Sequence, residues 1–179
     1  VMGSGCGIFD QWCAILYEAE GYFIGEYVME SLVALLKSRN LTISSCESLT
    51  AGMFSAAIAA VPGASGVLQG ALVTYQNHIK EEVAHVEKEI IDTYGVISAQ
   101  CAQAMAIHTR ELMHSDLCVS FTGNAGPGRM EGKEAGLVYC CIADEKGLKT
   151  YEFHLSYERN RLREEVVKRM AENVISYIK

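Results

Sequence analysis

Val28, Leu32, Leu35 and Leu36 fall on one stripe of a 3.6-residue repeat. That spacing predicts an amphipathic helix over residues 26–39, stopped at Asn40. Leu41-Thr42-Ile43 then reads as the start of a strand that enters a cluster of small hydroxyl residues, and the alanine-rich residues 51–60 read as a helix. Residues 67–75 are largely apolar and predict a second strand, buried on both faces. Residues 77–94 are charged and predict helix in two pieces. After the break at Gly95, Ser98 is placed to cap a long helix over 99–113. A third strand over 117–121 runs into a loop dense in glycine, residues 122–129. Residues 136–143 and 148–155 predict a hairpin across Asp144-Glu145-Lys146-Gly147, and 159–179 a terminal helix. Strands alternating with helices predict a single-domain α/β fold: a mixed β-sheet flanked by helices on both faces. No repeat or interdomain linker interrupts it.

Ahead of this domain, residues 26–179, lies an N-terminal extension, residues 1–25, of different character. Gly3-Ser4-Gly5-Cys6-Gly7 is suited to flexibility. Residues 8–20 carry Phe9, Trp12, Ile15 and Leu16 at helical spacing. They read as an extra helix or a partner-binding arm.

Composition narrows the function classes. The chain has 179 residues, 50% of them hydrophobic, with two prolines, so disorder is not expected and one sizeable core is. A net charge of −7 argues against nucleic acid as a partner. Arg159, Arg161 and Arg163 form a local basic cluster that suits one small anion rather than a polymer. Residues 51–79 contain no Asp, Glu, Lys or Arg, but the turn Val61-Pro62-Gly63-Ala64-Ser65-Gly66 divides them into pieces too short to span a membrane. The seven cysteines are odd in number, and no Cys/His series has metal-binding spacing. Cys140-Cys141 sit in an apolar run, and Cys101 and Cys118 also read as core. A reducing cytoplasm is the expectation.

Three segments end where strands meet loops, the edge at which open α/β sheets bind ligands. The first is Cys46-Glu47-Ser48-Leu49-Thr50-Ala51-Gly52. A strand turning directly into a helix presents N–H groups and the positive end of the helix dipole. A serine there can attack a carbonyl while those groups hold the oxyanion. It can equally be a helix cap, a role open to Ser48 or Thr50. The second segment is Thr74-Tyr75-Gln76-Asn77-His78-Ile79-Lys80. Desolvated beside a serine, Lys80 would be a base; followed by Glu81 and Glu82, it also reads as a surface lysine. The third is the loop 123–128, whose glycines allow an anion-binding nest or an ordinary turn. It matches no phosphate fingerprint, and HExxH and GxSxG are absent from the chain. With no evident histidine base, Ser plus Lys is the natural nucleophile pair.

In this order, the three segments resemble the C-terminal domain family of CinA, the competence/damage-inducible protein, which includes stand-alone nicotinamide mononucleotide deamidases. The family pattern runs roughly A-E-S-x-T-G-G, G-S-S-x-x-F-x-x-G-x-V-T-Y-S-N-E-A-K, S-G-I-A-G-P-x-G-G and G-x-R-x-x-x-R. Its counterparts here are residues 46–52, 63–80 and 121–128, then Arg159 and Arg163, and the resemblance covers residues 27–179. The family's separate N-terminal domain has no counterpart in it, which implies a stand-alone version.

The resemblance implies a CinA C-terminal-like fold and an amidase converting nicotinamide mononucleotide to nicotinate mononucleotide and ammonia. It makes Ser48 the nucleophile, Lys80 the general base and Tyr75 a hydrogen-bonding group that orients the pair. Thr50, Ala51 and Gly52 would supply oxyanion donors. Glu47, Asn77, Gly123, Asn124, Ala125, Gly126, Arg159 and Arg163 would bind the nucleotide. No metal or organic cofactor is called for, and a homo-oligomer, dimer or larger, is expected. Several positions depart from the pattern. Ala51 replaces a glycine, at a cost of about 1 kcal/mol if φ is positive there. Asn124 replaces an apolar residue, Gln76 and Ile79 alter the middle block, and His78 replaces an acid. Two other readings stand beside the amidase: a catalytically silent nucleotide-binding or regulatory module of the same fold, and an assembly protein that uses the extension.

Overall fold

The computed structural model describes residues 26–179. The readings made above for residues 1–25 lie outside the described residues. Helix α1 (Glu26–Arg39) is followed by β1 (Ile43–Glu47), α2 (Met53–Ala59), a 3₁₀ turn (Ala64–Gly66) and β2 (Leu68–Val73). Two short helices, α3 (Asn77–Glu82) and α4 (Lys88–Tyr94), precede the long α5 (Ala99–Met113). Strands β3 (Leu117–Gly123), β4 (Leu137–Asp144) and β5 (Gly147–His154) lead to the terminal α6 (Arg159–Ile178).

The five strands form one sheet in the order β2-β1-β3-β4-β5. β1 pairs in parallel with β2 on one side and β3 on the other, whereas β3–β4 and β4–β5 are antiparallel. The sheet is therefore mixed, as the hairpin predicts. Leu32, Leu36, Phe54, Val166 and Met170 pack one face of the sheet through α1, α2 and α6. Met105, Ala102 and Ala106 of α5 pack the other, with Val96 and Ile97 beside them. Cys46, Cys101, Cys118, Cys140 and Cys141 are all buried and free. None of the helices among the described residues is long and apolar enough to cross a membrane.

Two local readings need correction. The second strand is shorter than residues 67–75 and is half-exposed, with Val73 open to solvent, because it pairs on one side only and forms the sheet edge. The helix read over 51–60 begins at Met53. Neither Ser48 nor Thr50 caps it: the N-cap is Gly52 at φ +90°, which contributes no side chain. Ser98 does cap α5, with its Oγ accepting from the Cys101 N–H at 3.1 Å.

Because β1, β2 and β3 are parallel, their C-terminal ends meet at one edge. The Ser48 turn, the 74–80 segment and the glycine loop leave the sheet there. The chain steps from β1 to β2 on one side and later to β3 on the other, so β1 marks a topological switch point. Two bonds extend the ladders past the strands: Thr74 N–H donates to the Glu47 carbonyl and Ser48 N–H to the Phe121 carbonyl, each at 2.9 Å.

Candidate active site

Lys80 comes from the last turn of α3, yet it is only 1% exposed. Its Nζ donates to Ser48 Oγ at 3.0 Å and to the Thr74 carbonyl at 2.7 Å. This is the buried alternative, not the surface lysine that the following glutamates suggest. α3 follows β2 where the parallel strands end, and one turn of helix carries Lys80 inward while Glu82 stays exposed. Burial holds the Lys80 ammonium below the ordinary lysine value of 10.5, and the negative charge of Glu131 opposes that shift. Burial also pushes the Cys101 thiol up to about 12 and raises that of Cys46, so both stay protonated near neutrality.

Ser48 is 9% exposed at the floor of a cavity of about 340 Å³, which Tyr75, Asn124, Gly126, Arg129 and Arg159 also line. In the turn that follows, Ala51 has φ +50° and Gly52 φ +90°. The Ala51 N–H donates to the Ser48 carbonyl at 3.1 Å, so this expected oxyanion donor is already occupied. The N–H groups of Leu49, Thr50 and Gly52 have no acceptor among the described residues. They are the free donors of the turn that follows Ser48. The buried Thr50 hydroxyl likewise has no partner among them.

Several residues that the resemblance gives to substrate are engaged within the protein or lie off the cavity. Glu47 is fully buried, and its carboxylate accepts from Ser45 Oγ, Phe54 N–H and Ser55 N–H at 2.9, 3.1 and 3.0 Å. It caps the first turn of α2 from the preceding strand, the role considered for Ser48 and Thr50. Arg163 donates from Nε to the Leu49 carbonyl and from Nη2 to the Thr50 carbonyl, at 2.8 and 3.0 Å. It braces the turn. Asn77 is exposed at the start of α3 and is not among the residues lining the cavity.

Tyr75 is 50% exposed and accepts at its hydroxyl from Arg159 Nη2 at 2.8 Å. It bonds to neither Ser48 nor Lys80; the Thr74 carbonyl is what holds the lysine. Arg159 also donates to the Gly126 carbonyl at 2.9 Å, tying the glycine loop to Tyr75 across the cavity. Gly123 packs against β4, where an added Cβ would lie 2.7 Å from the Leu137 carbonyl oxygen. Asn124 organises its own loop: Oδ1 accepts from the Gly126 N–H at 2.9 Å and Nδ2 donates to the Gly128 carbonyl at 2.7 Å. Ala125 and Gly126 line the cavity with it.

Sequence reasoning did not single out Thr74 as the lysine's anchor or Arg129 and Met130 as cavity residues. Thr74 stood within the second segment, but its contribution is a backbone carbonyl, which carries no side-chain signal. Arg129 was read only as the end of a loop.

The CinA C-terminal domain family model matches residues 26–178. A Geobacillus sp. (strain WCH70) protein named "Putative competence-damage inducible protein" is 41% identical over 154 residues, covering 84% of this chain and 37% of that relative. A protein of the same name from Oceanobacillus iheyensis is 39% identical over 155 residues, covering 86% and 37%. The chain thus spans well under half the length of these relatives. Among solved structures, the CinA superfamily protein KP700603 from Klebsiella pneumoniae superposes with a TM-score of 0.84 at 21% identity, covering 86% of this chain and 96% of that one. The competence/damage inducible protein CihA from Agrobacterium tumefaciens gives 0.83 at 27%, covering 89% and 98%. Fold, family model and identity to the longer relatives agree: the chain belongs to the CinA C-terminal domain family.

Proposed function

We propose that this domain is an amidase that hydrolyses the carboxamide of nicotinamide mononucleotide, with Ser48 as nucleophile and Lys80 as general base. The observation that carries this reading is the 3.0 Å contact between Lys80 Nζ and Ser48 Oγ, made by a lysine that is almost wholly buried. Burial favours the neutral amine, whose lone pair accepts the Ser48 Oγ–H proton along the same contact. The family blocks that carry the resemblance supply the choice of substrate.

In this mechanism Ser48 Oγ attacks the amide carbon as its proton passes to Lys80. The oxyanion is held by free N–H groups of the turn, those of Leu49, Thr50 and Gly52 being available. The Lys80 ammonium returns the proton to the departing amide nitrogen, the C–N bond breaks, and ammonia leaves an ester on Ser48. Water then adds to the ester with Lys80 again accepting a proton, and the carboxylate product departs as Ser48 regains its hydrogen. Each step needs one group to cycle between amine and ammonium.

The test is ammonia release from nicotinamide mononucleotide by the parent, Ser48→Ala and Lys80→Ala, with circular dichroism confirming the fold. The expected result is turnover by the parent and a loss of about a thousandfold or more in each variant. A parent that binds the nucleotide but releases no ammonia supports instead the silent binding module. The observation favouring that second reading is Ala51, whose N–H is held by the Ser48 carbonyl.

A further inference from the structure

We infer that Arg129 is the anion-binding residue of the Ser48 cavity and makes it selective for a phosphorylated ligand over the same ligand without its phosphate. This rests on the amidase reading for the identity of the ligand, though not for the binding itself. Two arginines line the cavity. Arg159 points its Nη groups at neutral acceptors, the Gly126 carbonyl and the Tyr75 hydroxyl, and so closes the wall of the site. Arg163, the other arginine of the family's last block, is engaged with the carbonyls of the Ser48 turn. Arg129 remains, and it also lines the cavity.

Its surroundings suit capture of an anion. Arg129 donates through Nε at 2.8 Å, and through Nη2, to a single carboxylate oxygen of Glu134. Both side chains are about two-thirds exposed, at 67% and 69%. An exposed pair of this kind contributes little and exchanges readily for a better acceptor, and a phosphate offers the guanidinium a bidentate one. Glu134 thus holds the guanidinium at the cavity mouth until the ligand's anion replaces it. The backbone under Arg129 is fixed. Met130 and Lys133 exchange two main-chain bonds, at 3.1 and 2.9 Å, and Lys133 Nζ donates to the Tyr94 and Ile97 carbonyls, at 2.9 and 2.5 Å. The guanidinium therefore extends from an anchored loop, which limits the ordering cost of binding.

The sequence places both residues at the end of the glycine loop: after Pro127-Gly128 the chain has Arg129 and Met130, and both line the cavity that contains Ser48.

The experiment measures binding of nicotinamide mononucleotide and nicotinamide riboside by calorimetry. It uses the full chain carrying Ser48→Ala to prevent turnover, alone and with Arg129→Gln, Arg129→Lys or Glu134→Gln. The expected result is a loss of about 10-fold or more in nucleotide affinity with Arg129→Gln. Most of the affinity returns with Arg129→Lys, Glu134→Gln tightens binding at low salt, and riboside affinity is the same throughout. Nucleotide affinity indifferent to Arg129→Gln, an equal loss for both ligands, or no nucleotide binding at all overturns the inference. Ammonia release by the parent separates the two ideas. Arg129-dependent binding without it sinks the amidase reading and keeps this one; turnover with binding that ignores Arg129 does the reverse.

Discussion

Arg163 Nε donates to the carbonyl of Leu49 at 2.8 Å, across 114 positions of chain, and Nη2 of the same guanidinium takes the Thr50 carbonyl. Two successive carbonyls of the turn are thus held, while the Leu49 and Thr50 N–H groups have no acceptor among the described residues. The terminal helix thereby braces the Ser48 turn without lying in any of the three segments at the sheet edge.

Replacing Arg163 is therefore expected to act on the chemical step. Arg163→Ala should lower kcat for ammonia release about 10- to 100-fold, with a much smaller change in KM, and destabilise the fold by about 1–2 kcal/mol. Arg163→Lys, which reaches one carbonyl, should fall between. Steady-state kinetics checks this; a rise in KM at constant kcat would return Arg163 to substrate binding.

Activity should depend on Lys80 with a definite sign. In the proposed mechanism the neutral amine is the working form, so kcat/KM should climb with pH through a value lower than the 10.5 of an ordinary lysine. Stability follows the same ionisation. Below 10.5 the unfolded chain binds this proton more tightly than the folded one, so folding stability falls as pH drops from 10.5 through the folded value and is then level. Lys80→Met should abolish turnover and gain stability over the parent, with the gain larger below the folded value than above 10.5. Urea denaturation across pH measures it.

Ala51 adopts φ +50°, a region that alanine enters only at a cost, and its methyl group is exposed. Ala51→Gly should therefore raise stability by about 0.5–1 kcal/mol, relief of the left-handed strain exceeding the added freedom of the unfolded chain. Thermal denaturation is the check. Unchanged or lower stability would mean that the turn has relaxed around the alanine.

Glu47 predicts the opposite behaviour. Its carboxylate accepts three hydrogen bonds in full burial, and an amide would turn a donor toward the N–H groups at the start of α2. Glu47→Gln should cost about 2–3 kcal/mol, measured by denaturant unfolding. A variant that keeps full stability but loses nucleotide affinity would restore Glu47 to the substrate.

The periodicity of apolar positions settled α1, α5 and α6 closely, because their buried stripes repeat locally and Ser98 and Asn40 mark ends through their own backbone preferences. The order of family blocks identified Ser48 and Lys80 as partners. Residue types could not say what surrounds them. Whether Lys80 is a surface ammonium or a buried amine depends on where the tertiary fold sets α3. Whether the second strand is central or at the edge depends on which neighbours pair with it. Glu47, Tyr75 and Arg163 have the chemistry to meet a substrate, but their partners are Phe54, Ser55, Arg159, Leu49 and Thr50. Local pattern reports which face of an element is apolar; the destination of a polar group is decided by what distant chain is folded against it. The sequence by itself determined most of the elements, the family and the pair proposed to react. Only the tertiary structure decided which charges are buried, which donors stay free and which residues line the cavity.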